Sequence, residues 1–267
     1  MAQLLLCGKP LGDFDGVLFD KDGTLSHSEP RLVEQGQSRV EAACACLLAQ
    51  GQARRHDTEA HITRFRELLL QVYGLAGSCV SPEGLLAVAS RQHNLLATAT
   101  LFSLMGESWP QALVLAEQSF ENASRSRQSA RDEAKEASSP LLPDAGKIIH
   151  RLKETGVTCA VISNDTRAGI ERFLVSHQLN AHISGIWSAD DHPNKPDPSA
   201  VHALCEQLEL KPERCVLIGD ADSDLLMARR AGIGLSLGYV AGWTRSPNLT
   251  HHEKIISHWE DLEVVAP

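Results

Sequence analysis

The sequence predicts an α/β protein in which a parallel sheet covered by helices is interrupted by an all-helical insertion. Three observations carry this. From about residue 144 onward, short β-rich apolar runs alternate with helical patterns, the signature of βα repetition and hence of a parallel sheet. Between Ser26 and Ser139 the pattern is helical only. The apolar run Val17-Leu18-Phe19, which reads as a buried strand, precedes that helical stretch. With 267 residues the chain can bury a large core, and the spacing favours two domains, 1–25 with 140–267 and 26–139.

The elements follow in order. Leu4-Leu5-Leu6-Cys7 reads as an edge strand, and Asp13-Phe14-Asp15-Gly16 as a turn, because turn formers dominate it and no β-rich run precedes it. Ser28-Glu29-Pro30 starts a helix with proline in its first turn, and Gly51 is expected to close it. Ile62, Phe65, Leu69 and Val72 recur at spacings of three and four, giving one apolar helix face. Ser81-Pro82-Glu83 opens a third helix. Ser108-Trp109-Pro110-Gln111 opens a fourth that runs through the charged stretch from Arg125 to Glu136, in which Arg125, Arg127 and Arg131 read as a solvated face. Beyond the insertion, helices are expected at 145–154, 166–177, 199–208 and 224–231, and strands at 157–162, 182–187, 216–218 and 234–237.

Four segments at the ends of these strands and loops carry chemistry. Asp20-Lys21-Asp22-Gly23-Thr24 follows the first apolar run, and strand ends are where open α/β sheets bind ligands. A carboxylate such as Asp20 can attack phosphorus, and Asp22 can then protonate the leaving oxygen and activate water. Gly23 and Thr24 let the backbone turn tightly beside a phosphate. Ser163-Asn164 ends the second strand with hydroxyl and amide donors for phosphate oxygens. Lys195, in a proline-punctuated loop, supplies a fixed positive charge. Gly219-Asp220-Ala221-Asp222-Ser223-Asp224 follows the third strand with the hard carboxylate oxygens that Mg²⁺ prefers.

In this order, Asp20-x-Asp22-Gly23-Thr24, strand-Ser163-Asn164, Lys195 and Gly219-Asp220-x-x-x-Asp224, the chain resembles the haloacid dehalogenase superfamily, specifically its Mg²⁺-dependent phosphatases. The resemblance spans nearly the whole chain. It implies a doubly wound, Rossmann-like parallel sheet with an inserted all-α cap domain of the C1 type, able to close over substrate and exclude bulk water. It also implies Asp20 as nucleophile and metal ligand, Asp22 as acid/base and ligand through its backbone carbonyl, and Asp220 as a further ligand. Asp224 joins the metal set as an adjacent carboxylate, and Lys195 bridges the phosphoryl group and the carboxylates. No acid is required at Asp222, and Lys21 is expected to point away from its neighbours and to tolerate replacement.

The nearest subgroup is phosphoglycolate phosphatase-like, because a helical segment follows Asp-Gly-Thr-Leu-x-x-Ser-x-Pro. His27, Glu29, Arg31, Arg54, Arg55 and His56 are its candidate substrate contacts. The expected activity is hydrolysis of a small soluble phosphorylated metabolite, with a sugar phosphate mutase or a non-catalytic regulatory protein as alternatives. Asp22 disfavours a dehalogenase, and no lysine lies between Asp22 and Ala134 to serve a phosphonatase. The mutases' cap-side histidine position is Leu32 here. Asp20-Lys21-x-Gly23-Thr24-Leu25 also resembles the phosphorylation motif of P-type ATPases, but Asp22 replaces a threonine there.

Bulk properties exclude other classes. A formal charge of −9 argues against general nucleic-acid binding, and no apolar run approaches membrane-spanning length. Leu4-Leu5-Leu6-Cys7 lacks the charged flank and long apolar core of a lipoprotein leader. Seven cysteines without Cys-x-x-Cys suit reduced thiols in the cytoplasm, and His251, His252 and His258 lack partners for a metal site. The expected protein is a cytoplasmic monomer or homodimer.

Overall fold

The computed structural model describes residues 2–54, 58–134 and 139–266, with the backbone alone for 51–54, 58 and 128–134. The chain forms two compact units, Met1–Ser28 with Ser138–Pro267, and Glu29–Ala137.

The first unit is built on a six-stranded sheet, all of whose pairings are parallel. Its N-terminal segment gives β1 (Ala2–Leu6), β2 (Lys9–Phe14) and β3 (Gly16–Phe19), and β3 lies at the sheet's centre. After the helical unit, which holds five helices and two short strands among the described residues, the order is α6 (Ala145–Glu154), β6 (Thr158–Ile162), α7 (Arg167–Ser176), β7 (Gly185–Trp187), α8 (Pro198–Gln207), β8 (Cys215–Gly219), α9 (Asp222–Arg230), β9 (Leu235–Tyr239), β10 (Lys254–Ile256) and β11 (Leu262–Val265). The strand order is β10-β9-β8-β3-β6-β7.

Double winding follows from the two-residue period of the central strands. Val17 and Phe19, Cys159 and Val161, and Val216 and Ile218 pack with Ile148, Ile149 and Leu152 of α6 and with Ile170 and Phe173 of α7. Leu18, Ala160, Ile162 and Leu217 point the other way, onto Val201 and Leu204 of α8 and Met227 and Ala228 of α9. Both faces are therefore covered, which explains why these strands read as continuous apolar runs. Phe19 stands opposite both Val161 and Ile218, so the residues after β3, β6 and β8 emerge at one sheet edge.

Several expectations need correction. β1 is the middle strand of a three-stranded antiparallel sheet, β11-β1-β2, not an edge, because the C-terminal β11 pairs with it. Asp13 and Phe14 finish β2 rather than forming a turn; Asp15 links it to β3 and is held by Arg214, Nε to Oδ2 3.1 Å, which lowers its pKa. The strand expected at 182–187 is confined to Gly185–Trp187.

The helical unit comprises α1 (Glu29–Arg54), α2 (Thr58–Tyr73), a two-stranded antiparallel hairpin of β4 (Leu75–Ala76) and β5 (Cys79–Val80), α3 (Leu85–Val88), α4 (Arg91–Leu104) and α5 (Trp109–Ala134). Gly51 lies inside α1 instead of ending it; an interior glycine costs only about 1 kcal/mol, which packing of a long helix overrides. The third expected helix is a single turn, α3, and the longer α4 begins where Ser90 accepts the His93 N–H. Phe65, Leu69 and Tyr73 of α2 are buried with Phe102 and Phe120, Phe65 and Phe102 centring their rings 4.8 Å apart. Arg55, His56, Lys135 and Glu136 fall outside the described residues. Among the described residues, no helix is long and apolar enough to cross a membrane.

Candidate functional site

At the carboxyl end of β3 the chain turns sharply: the Lys21 carbonyl accepts the N–H groups of Leu25 and Ser26, both at 2.9 Å, and Gly23 N–H bonds back to Ser26 O at 3.0 Å. Gly23 has φ +82°, and a Cβ there would sit 2.3 Å from Trp243 Nε1 and 2.4 Å from Asp220 Oδ2. A Cβ on Gly242 would in turn meet the Gly23 carbonyl oxygen at 1.7 Å. Glycine is required at Gly23 by its positive φ and by the Trp243 and Asp220 side chains, and at Gly242 by the Gly23 backbone.

This turn sets Asp20 against residues from three other places in the sequence. Lys195 Nζ lies 2.7 Å from Asp20 Oδ1 and 2.8 Å from Asp224 Oδ1, and donates to the Ile162 carbonyl at 3.2 Å. The Lys195 loop is itself pinned: Trp187 Nε1 donates to Pro193 O at 2.9 Å and Asn194 Nδ2 to Ala189 O at 2.7 Å, while Asp197 caps α8. Asp220 receives Thr24 Oγ1 on Oδ1 at 2.8 Å and Trp243 Nε1 on Oδ2 at 2.6 Å. Asp224 stands in the first turn of α9, where the helix N-terminus favours negative charge.

Asp20, Asp220 and Asp224 each offer an oxygen within 4.8 Å of the others, and all three are buried. Three carboxylates against the single Lys195 leave an excess of negative charge in a dry place. The pKa directions express this. Burial, then Asp224, push Asp20 up to about 6, with Lys195 opposing. Burial, then Asp20 and Asp224, raise Asp220 well above the ordinary carboxylate value. Burial disfavours the charge on Lys195, but Asp20 and Asp224 outweigh it and its pKa is raised. An all-oxygen, charge-deficient cluster of this kind fits a hard divalent cation such as Mg²⁺.

The metal-free protein should show this in its stability. A folded-state pKa raised above the unfolded value stabilises below the unfolded value and loses that contribution as pH rises through the folded one. With Asp20 moving from 3.8 to about 6, the melting temperature in EDTA should fall as pH rises across that window. Saturating Mg²⁺ should flatten the fall; calorimetric scans from pH 4 to 8 check it, and parallel curves with and without Mg²⁺ would contradict it.

Asp22 stands apart from the three acids. Its Oδ1 accepts Lys21 Nζ at 2.5 Å and the Ser28 hydroxyl. Lys21, expected to tolerate replacement, is instead buried, with Nζ 3.1 Å from Asp165 Oδ2 and 5.7 Å from the Phe173 ring centroid. Ser163 is buried at the end of β6, its N–H on Trp187 O at 2.9 Å and its hydroxyl accepting from Asp165 N–H at 3.2 Å, with Asn164 half-buried beside it. Glu29 is buried and accepts the Val80 N–H at 3.0 Å.

One residue that the sequence did not single out, Trp243, belongs to this arrangement. Trp243 orients Asp220, and its loop is fastened by Asp222, which accepts Thr250 N–H and Oγ1 at 2.7 Å, His251 N–H at 2.8 Å and pairs with His251 Nδ1 at 2.6 Å. Burial opposes the Asp222 charge, but Thr250 and His251 outweigh it and bring its pKa down to about 2. His251 is thereby a clamp for Asp222. Trp243→Phe keeps the packing and removes the donor to Asp220. Mg²⁺ binding, read by calorimetry, should weaken about 10- to 100-fold, the usual cost of losing a partner that orients a metal ligand; an unchanged dissociation constant would show that Asp220 needs no orienting.

The haloacid dehalogenase-like hydrolase family matches residues 14–232, most of the chain, including Asp20, Ser163, Lys195, Asp220 and Asp224. The chain belongs to that family. Among curated members of the family, the chain is 32% identical over 108 residues to a phosphoglycolate phosphatase of Vibrio cholerae, covering 39% of this chain and 48% of the relative, so it spans about half the length of that relative. A phosphoglycolate phosphatase of Psychrobacter arcticus matches more widely, 26% identical over 231 residues and 85% of each chain. In fold, the chain is similar to a crystal structure described as a predicted phosphoglycolate phosphatase from Haemophilus somnus, with a TM-score of 0.63 at 18% identity over 94% of this chain and 97% of that one.

Proposed function

We propose that this haloacid dehalogenase-like hydrolase is a Mg²⁺-dependent phosphatase acting on a small phosphorylated metabolite, with 2-phosphoglycolate as the first candidate. The observation that carries the reading is the buried cluster of Asp20, Asp220 and Asp224 bridged by Lys195. The relatives named phosphoglycolate phosphatase support the substrate class. The cysteines are free among the described residues, which suits the cytoplasm.

Asp20 is the nucleophile: a carboxylate oxygen forms the bond to phosphorus as the ester oxygen leaves with its electron pair. Asp22 gives that oxygen a proton, then takes one from the water that attacks the aspartyl phosphate, regenerating Asp20 and releasing phosphate. Lys21 and Ser28 hold Asp22 Oδ1 in place for both steps. Lys195 keeps Asp20 ionised and set against the phosphoryl group, which the donors of Ser163 and Asn164 hold, while the Gly23 N–H and Thr24 hydroxyl, expected to bind phosphate, are spent on Ser26 O and Asp220 Oδ1. Asp20, Asp220, Asp224 and the Asp22 backbone carbonyl are the Mg²⁺ residues; the ion supplies countercharge to the phosphoryl oxygens. In the same reading, residues 26–139 are the cap domain and 1–25 with 140–267 the catalytic domain.

The test is phosphate release from a panel of phosphomonoesters that includes 2-phosphoglycolate. Release with Mg²⁺ and none with EDTA is expected. Silence across the panel in Mg²⁺ would defeat the proposal.

A further inference from the structure

Lys21 puts a charge where the surroundings are largely apolar. It lies two residues beyond β3, is only 2% exposed, and has Nζ 5.7 Å from the ring centroid of Phe173, a core residue of α7. Burying an ammonium group is costly unless it is paired and hydrogen-bonded, so its partners are informative. One is Asp22 Oδ1 at 2.5 Å, and the other is Asp165 Oδ2 at 3.1 Å. Replacing a buried ion pair by apolar side chains is often neutral for stability, so stability alone does not account for the lysine.

Asp165 is the fixed end of this row of charges. Its N–H donates to Ser163 Oγ at 3.2 Å, its Oδ1 accepts the Thr166 N–H at 2.8 Å, and its carbonyl accepts the Ala189 N–H at 2.9 Å. The carboxylate also lies against the first turn of α7, where a Cβ on Gly169 would sit 2.5 Å from Oδ2 and 2.7 Å from Oδ1. Glycine at 169 makes the room for it. Asp165 directly follows Ser163 and Asn164, the donors assigned to the phosphoryl group. The Lys21 ammonium therefore joins that loop to Asp22, the carboxylate assigned to the proton.

We propose that Asp165 is a positioning residue for the phosphatase reaction, acting through Lys21 to set the Asp22 carboxylate against the phosphoryl group that the same loop holds. This rests on the phosphatase reading and adds the anchor on which Asp22 depends. In the first displacement the bond from phosphorus to the ester oxygen breaks as the bond to Asp20 forms, and the departing oxygen takes its proton from Asp22. An alkoxide is too basic to leave without that proton, whereas p-nitrophenolate leaves as the anion. In the second displacement water attacks phosphorus, its proton goes to Asp22, and Asp20 departs. A misplaced Asp22 thus harms the first step for alkyl esters and the second step for every ester.

The test compares two esters in saturating Mg²⁺: p-nitrophenyl phosphate, and 2-phosphoglycolate or whichever alkyl phosphate the wild type hydrolyses fastest. Lys21→Met removes the link. Asp165→Asn keeps the lysine and the shape of the loop, removes the anchoring charge, and carries the comparison alone if Lys21→Met fails to fold. In Lys21→Met, kcat/KM for the alkyl ester should fall about 10²- to 10⁴-fold, as for loss of a positioned proton donor, and for p-nitrophenyl phosphate no more than about tenfold. In Asp165→Asn the alkyl ester should lose about 10- to 100-fold more than the aryl ester, the effect of a small misplacement. In both variants, mass analysis of acid-quenched samples should show the phosphorylated chain accumulating during turnover of p-nitrophenyl phosphate. Equal losses on the two esters, which a purely structural role would give, or unchanged kinetics in Asp165→Asn, would overturn the proposal. A wild type that releases phosphate from neither ester defeats the phosphatase reading and this proposal with it; an active wild type whose variants show no split defeats the positioning role alone.

Discussion

Asp20→Asn should release phosphate at least about 10⁴-fold more slowly than the wild type, because an amide cannot form the acyl phosphate on which both displacements depend. The loss should appear in kcat with every substrate, since the missing atom belongs to the reaction and not to recognition. The fold should not suffer. Asparagine has the shape of aspartate, and the change removes one of three buried, mutually repelling charges. At pH 7.5 in EDTA the variant should therefore melt above the wild type, and the decline in stability between pH 4 and 6 should shrink. Phosphate release under single-turnover conditions, paired with melting curves, reads both effects. Retained turnover would remove Asp20 from the centre of the account.

What the sequence made legible was chemistry at strand ends. β3, β6 and β8 are short apolar runs buried on both faces, so their ends were visible and the polar residues just after them stood out. Their parallel register then brings Asp20, Ser163 and Asp220 to one edge with little freedom to do otherwise. Trp243 was not legible. It sits in a loop without strand or helix, and its place beside Asp220 depends on Asp222 and on the close approach of Gly242 to Gly23, contacts with no local sequence signature. Lys21 was misread for a related reason: strand alternation gave its direction but not Asp165, which comes from a distant loop to meet its charge. β1 was taken for an edge because its partner β11 comes from the other end of the chain. Within the helical unit, Gly51 and Ser81 are ordinary stop and start signals that long-range packing overrode.

Lys195→Met should produce the second large effect. Among the described residues the ammonium group is the one cation paired with both Asp20 and Asp224, and it also ties the loop after β7 to the end of β6 through the Ile162 carbonyl. Methionine fills the space and leaves the carboxylates facing each other without a counterion. Turnover should drop about 10²- to 10³-fold, as for loss of a prearranged charge on a transferring group. Removing one partner of a buried ion pair also costs about 3–5 kcal/mol, so the metal-free variant should melt several degrees lower at neutral pH. Mg²⁺ should recover much of that stability and little of the activity, because the ion replaces the missing charge but not the contact with the phosphoryl group. Melting and turnover measured with and without Mg²⁺ separate the two roles. Full activity in Lys195→Met would mean that Lys195 is a structural pair only.

The claim underlying all of this is that Asp20, Asp220 and Asp224 fold into one site for a divalent cation. Isothermal titration of Mg²⁺ into the EDTA-treated, dialysed protein at pH 7.5 tests it most directly, with Asp220→Asn as the comparison. One ion bound per wild-type chain, and none in Asp220→Asn, is the predicted result. No saturable binding by the wild type, or the same isotherm from both proteins, would contradict it.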